Sequence, residues 1–169
     1  MDMIYFDHAA TTRVLPEAAQ AAVEAMTVAY GNPSSLYALG TQAAKAVAEH
    51  RATVAQALGC RPEELYFTSC GTEGDNWAVQ LAVHLGRHKG KHIITTAVEH
   101  SAILEPCKLL AQQGYDVTYL KPDRTGRITV PQVADALRED TALVSVMLVN
   151  NETGCVFPVR EIAALLREK

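Results

Sequence analysis

No stretch of this sequence holds the roughly 20 consecutive apolar residues that a bilayer-spanning helix needs, and no long basic run appears. With a formal net charge of −4, nucleic acid and anionic membrane surfaces are poor candidates for a main partner. Cysteine is sparse and irregularly spaced. Cys60, Cys70, Cys107 and Cys155 form no Cys-x-x-Cys pair, which argues against a zinc knuckle or a disulfide framework and for a reducing cytosol. The opening MDMIYFDHAATT lacks a basic region followed by an apolar one, so no secretory signal is expected. The match of Asn151-Glu152-Thr153 to a glycosylation acceptor is then a coincidence. Internal repeats and low-complexity segments are also missing.

What is present is a soluble globular balance. Apolar residues make up 49% and charged residues 20% of 169 residues, enough to build a core. Residues 1–15 read as an arm, with strand-prone Ile4, Tyr5 and Phe6 before Asp7-His8-Ala9-Ala10-Thr11-Thr12. Pro16 opens a helix to about Tyr30. Gly31 to Ser35 is a loop, and apolar residues from Ala44 to Leu58 recur at helical spacing up to a stop at Gly59.

From Leu65 strands and helices alternate. Strands are expected at 65–68, 92–98, 117–120 and 142–149, and helices near 72–87, 100–113, 131–139 and 161–168. Trp77, Ala78, Leu81 and Leu85 form one apolar stripe, and the eight-residue run Ala142–Val149 has the pattern of a strand buried on both faces. This alternation predicts a layered α/β domain with a mostly parallel sheet. Ligands of such sheets lie beyond the carboxyl ends of the strands. Three segments fall there: Ser69–Thr72, Glu99-His100 and Asn150-Asn151-Glu152. At least the first and last are expected to share one crevice.

The segment LYFTSCGTEGDN (65–76) is the most informative. A strand runs into a small-residue turn and then a helix start, where free N–H groups and the helix dipole favour a phosphate. Gly71 permits close approach, and the hydroxyls of Ser69 and Thr72 add donors. A plain structural reading stands beside each functional one. Thr72 and His100 could each simply cap a helix, and Asn150 and Asn151 could be ordinary turn residues before Gly154. His8 reads as structural or exposed. His84 and His88 have metal-pair spacing but no third ligand, so they read as a solvated helix end. Cys70, beside a helix N-terminus, is a candidate for a lowered thiol pKa.

Taken together, DHAATT (7–12), GNPSSLYALG (31–40), FTSCGTEGDN (67–76), VEHSAIL (98–104) and VNNETG (149–154) resemble the cysteine desulfurases, pyridoxal-phosphate enzymes of the class V aminotransferase group. The resemblance covers nearly the whole chain. It implies that a loop like Cys70-Gly71-Thr72 holds the cofactor phosphate, that His100 lies over the pyridine ring and assists proton transfer, and that Asn151 meets the ring's 3-hydroxyl. The chemistry agrees. A hydroxyl and amides suit a phosphate dianion, a helix start disfavours imidazolium, and Asn brings a donor and an acceptor without charge. The implied fold is an N-terminal arm (1–15), a helical segment of the small-domain side (16–60) and the first half of the large domain of a fold type I enzyme (61–169).

The same resemblance calls for a cofactor-linking lysine in a Ser-x-His-Lys-like segment, an aspartate for the pyridinium nitrogen, a mobile-loop cysteine and a substrate-binding arginine. The six lysines, Lys45, Lys89, Lys91, Lys108, Lys121 and Lys169, lie outside any such segment. The expectation is therefore an N-terminal piece of a longer homodimeric, cytosolic enzyme. It would convert L-cysteine to L-alanine and pass sulfur to an acceptor or an iron–sulfur scaffold, while the 169 residues alone would be inactive. A transaminase or selenocysteine lyase of the same group, and a non-catalytic phosphate-binding module, are the alternatives.

Overall fold

The computed structural model describes residues 4–168; Met1–Met3 of the expected arm and Lys169 lie outside them. The chain divides into two compact units at Phe67/Thr68.

The first unit carries α1 (Pro16–Thr27) and α2 (Ala38–Leu58). Pro16 sits in the first turn of α1, where its missing N–H costs nothing. Gly59 ends α2 in the left-handed region, at φ 70°. The GNPSSLYALG segment folds its loop onto the first turn of α2. A Cβ at Gly31 would stand 2.4 Å from the Leu39 carbonyl oxygen, and one at Gly40 2.2 Å from that of Ser35. Only glycine fits either place. The strand expected at Leu65–Thr68 is not formed. Leu65 is extended, but its carbonyl accepts from the Arg51 guanidinium, which lies 5.0 Å from the Phe67 ring centroid. A side chain thus takes an acceptor that a neighbouring strand would otherwise use.

The second unit alternates α3 (Gly71–Gly86), β1 (His92–Thr96), α4 (Ser101–Gln112), β2 (Asp116–Leu120), α5 (Val130–Ala136), β3 (Thr141–Ser145) and α6 (Val159–Arg167). The sheet has order β2-β1-β3, and both pairings are parallel. Ile93 and Ile94 point to opposite faces, as strand geometry requires. Ile93 packs with Val79, Val83, Cys107 and Leu110 of α3 and α4. Ile94 packs with Leu120, Ile128, Val133, Phe157 and Ile162, largely from the α5 and α6 side. Helices on both faces bury all five residues of β1.

One expectation is corrected here, and the α3 stripe is found to face away from the packed side. The doubly buried strand is β1, not the 142–149 run: β3 stops at Ser145 and is only half-buried, because β1 is its one neighbour among the described residues. The stripe on α3 also faces outward, with Trp77, Leu81 and Leu85 exposed. Val79 and Val83 form the packed face instead.

A buried histidine, passed over in the sequence, closes the far end of the sheet. His92 has no exposure. Its Nδ1 pairs with the Thr141 hydroxyl at 2.8 Å and its Nε2 with that of Thr118 at 2.9 Å, linking β1 to both neighbours. Burial, and then the Arg138 guanidinium, push its pKa below the ordinary value of 6.5. The folded state therefore holds this ring neutral more strongly than the unfolded chain does. The associated stability is fully present above pH ~6.5 and is lost as pH falls through the lower folded pKa. Denaturant titrations at pH 8, 7, 6 and 5 should show stability falling toward acid, with a flatter decline in His92→Gln. Equal slopes for the two proteins would contradict this role.

Candidate functional site

Because β1 and β3 run parallel, the segments that follow them emerge at the same edge of the sheet. The α3 N-terminus provides the first candidate. Cys70, its N-cap, makes no side-chain capping hydrogen bond, and the first backbone donor taken up by the turn is Gly74 N–H, given to Cys70 O at 3.2 Å. The amides of Gly71, Thr72 and Glu73 take no backbone partner, as at any helix start. A Cβ built on Gly71 would meet nothing within 4 Å, so the approach is open. These amides and the Thr72 hydroxyl are a donor set that fits a phosphate dianion. Ser69 must be removed from it: the Glu73 carboxylate accepts from the Ser69 amide at 2.6 Å and from its hydroxyl at 2.8 Å. That pairing lowers the Glu73 pKa.

The second candidate, His100, does cap α4. Its Nδ1 accepts the Ala102 N–H at 3.1 Å. That nitrogen therefore carries no proton, and a neutral ring bears its proton on Nε2. Capping and proton exchange use different nitrogens, so the two readings of His100 are compatible in one side chain. The helix also contains Pro106, which cannot donate to the Ala102 carbonyl four residues earlier. Asn76 of α3 reaches that carbonyl instead, with its Nδ2 3.4 Å away and 2.8 Å from the Thr72 carbonyl. One amide group thus ties the Thr72 turn to the His100 helix. Thr72, Asn76, Ser101 and Ala102 line a common groove.

The third candidate is the turn between Val149 and Val156, which pair as an isolated antiparallel bridge. Asn150, not Asn151, builds this turn. Its Oδ1 accepts from the Glu152 amide (3.0 Å), the Thr153 amide (2.9 Å) and the Thr153 hydroxyl (3.1 Å). Its Nδ2 donates to the Val98 carbonyl at 2.9 Å. Asn150 is buried, whereas Asn151 is exposed and donates only to Glu152, at 3.0 Å. The turn is thereby joined to the segment that carries His100.

Glu99 makes the same connection from the other side. Although only 7% exposed, its Oε1 accepts from the Thr96 hydroxyl at 2.9 Å and the Met147 amide at 2.8 Å. Burial pushes its carboxyl above the ordinary range, against those two donors, and Asp75 adds to the rise.

The structure thus connects the Thr72 turn to the His100 segment and the His100 segment to the Asn151 turn. Among the described residues no hydrogen bond joins the first turn to the third directly. The bracing roles of Asn76, Glu99 and Asn150 were not read from the sequence. Pro106 was the available signal for Asn76, since it orphans a carbonyl. Glu99, following Val98 at a strand end, was the signal for a buried carboxylate.

Residues 4–169 match the family model described as Aminotransferase class-V. The chain is 44% identical over 98% of its length to "Cysteine desulfurase IscS" of Methanosarcina thermophila, covering 41% of that protein. It is 50% identical over 96% of its length to "Cysteine desulfurase 2" of Trichormus variabilis, covering 40%. Among solved structures it resembles a "NifS-like protein" (TM-score 0.93, 36% identity, 98% of this chain and 46% of the other). It also resembles "SspA in complex with cysteine" (TM-score 0.89, 36% identity, 97% and 47%). The chain therefore spans about two fifths of the length of the curated relatives it matches.

The α3 N-terminus also bears on Cys70. The Glu73 amide, then the Ser69 hydroxyl, hold its thiol below the ordinary range, and the side chain is exposed. Cys107 is buried, and burial pushes its thiol up. Iodoacetamide at pH 7 should label Cys70 at least about tenfold faster than Cys107, by peptide mass mapping. Equal rates, or faster labelling of Cys107, would contradict this electrostatic picture.

Proposed function

The chain belongs to the class V aminotransferase family, and on that premise we propose that the protein carrying it is a pyridoxal-phosphate-dependent cysteine desulfurase. L-cysteine becomes L-alanine, and its sulfur passes to a cysteine thiolate of the enzyme as a persulfide. The observation that carries this reading is the linking of the Thr72 turn to the His100 helix through Asn76, and of the His100 segment to the Asn151 turn through Asn150 and Glu99. The matches to proteins named cysteine desulfurase, along 96–98% of this chain, support it.

In this reading the amides of Gly71 and Thr72 and the Thr72 hydroxyl hold the cofactor phosphate, with the α3 dipole behind them. Asn151 would hold the ring by a hydrogen bond, and His100 would move a proton through Nε2 while its Nδ1 stays engaged with the Ala102 amide. Pyridoxal phosphate, when bound, supplies an electron sink for carbanion chemistry. The linking lysine, the pyridinium-pairing aspartate, the substrate arginine and the sulfur-accepting cysteine are contributed from outside these 169 residues. The protein works as a cytosolic homodimer and hands its sulfur to an acceptor or scaffold protein. The 169 residues alone do not turn over.

The whole protein, given L-cysteine and a thiol reductant, should release alanine and sulfide in equal amounts. His100→Ala should lower the rate by about 10²–10⁴-fold, and the 169-residue chain alone should give no product. A whole protein that binds pyridoxal phosphate but yields neither alanine nor sulfide would end the desulfurase assignment. Formation of a keto acid in their place would favour a transaminase.

A further inference from the structure

His100 and Asn151 are both exposed, and each is held by its own side chain only to a near neighbour in sequence, Ala102 and Glu152. What sets their relative placement is the pair of buried residues immediately before each of them in the sequence. Glu99 is 7% and Asn150 5% exposed, and both reach across from one strand-end segment to the other. Glu99, beside His100, takes the amide of Met147 on the tail of β3. Asn150, beside Asn151, gives its Nδ2 hydrogen to the carbonyl of Val98 on the tail of β1. Each side chain starts on one segment and ends on the backbone of the other, so the two bonds form a reciprocal cross-tie. Each is also anchored on its own segment: Glu99 by the Thr96 hydroxyl, and Asn150 by the Glu152 and Thr153 amides. The backbone of the turn is closed by Gly154 N–H to Asn150 O at 2.8 Å and by Asn150 N–H to Cys155 O at 2.9 Å. A displacement of either segment must therefore break bonds on both.

We propose that Glu99 and Asn150 are positioning residues that hold His100 and Asn151 in register on a shared ligand, and that neither touches that ligand. This rests on reading the edge as a pyridoxal-phosphate site. The alternative for two buried polar residues is general support of the fold, with no bearing on the site. The two differ in one respect. A positioning residue acts through the side chain it places, so its removal matters only while that side chain is there to be placed.

The test uses the whole protein and two readouts: amide hydrogen exchange across residues 145–156, and the equilibrium affinity of the cofactor-free protein for pyridoxal phosphate. Glu99→Ala should speed exchange at Met147 and through the 150–154 turn, and weaken pyridoxal phosphate by about tenfold. Glu99→Gln keeps an acceptor in place and should restore both to within about twofold. In a His100→Ala/Asn151→Ala background, adding Glu99→Ala should weaken affinity by less than about twofold, since both placed groups are gone.

Should Glu99→Ala fail to fold, Asn150→Asp retains the acceptor for Glu152 and Thr153 but loses the donor to Val98. It carries the same three expectations. Three results overturn the proposal: unaltered exchange, faster exchange with unaltered affinity, or the full tenfold loss persisting in the His100→Ala/Asn151→Ala background. An unsubstituted protein that binds no pyridoxal phosphate overturns the functional reading instead, and in that case unaltered exchange in Glu99→Ala would still separately defeat the cross-tie.

Discussion

A carboxylate removed from water holds the C-terminal edge of this sheet together. Glu99 is almost wholly buried, and it is tolerated there because a hydroxyl from its own strand end and an amide from the adjacent one converge on a single oxygen. Burial wins over those donors in setting its proton affinity. It does not win in geometry, since both bonds are of normal length. Asn150 satisfies the reverse demand, offering a hydrogen to one segment and an oxygen to three donors of its own turn. The exposed groups suited to chemistry, His100 and Asn151, stand directly beside these buried anchors. Surface side chains thereby acquire the precision of a core.

The same economy governs the helix starts. α4 uses an imidazole nitrogen as its cap and leaves the other nitrogen without a hydrogen bond among the described residues. α3 has no conventional cap, so its leading amides stay available to an anion. The proline that interrupts the α4 ladder orphans a carbonyl, which is answered from α3. That local defect becomes a link between the turn suited to a phosphate and the helix that carries the histidine. At the opposite end of the sheet, His92 links β1 to both of its neighbours.

Much of the architecture was legible in the sequence, and for identifiable reasons. His92–Thr96 is a compact β-branched run, Gly59 a C-terminal stop, and Pro16 a first-turn residue, and each acts locally. The alternation from residue 71 onward has a period that tertiary packing need not override. The failures were non-local. Whether Leu65–Thr68 joins a sheet depends on what competes for its carbonyls, and Arg51, fourteen residues earlier, takes one of them. Whether 142–149 is doubly buried depends on strand order, and an apolar run does not encode that; β1 occupies the centre instead. At the site, the exposed residues Gly71, Thr72, His100 and Asn151 could be picked out by type and motif. Their braces could not, because Glu99 and Asn150 act across 48 and 52 residues of sequence.

The central claim is that the start of α3 and the segments after β1 and β3 face one molecule, with its phosphate on the amides of Gly71 and Thr72. A crystal structure of the whole protein grown with pyridoxal phosphate tests this most directly. The account predicts phosphate oxygens within about 2.7–3.2 Å of those amides, with the His100 and Asn151 side chains on the ring side of the same cleft. A phosphate bound elsewhere, or a ring facing neither side chain, would contradict it.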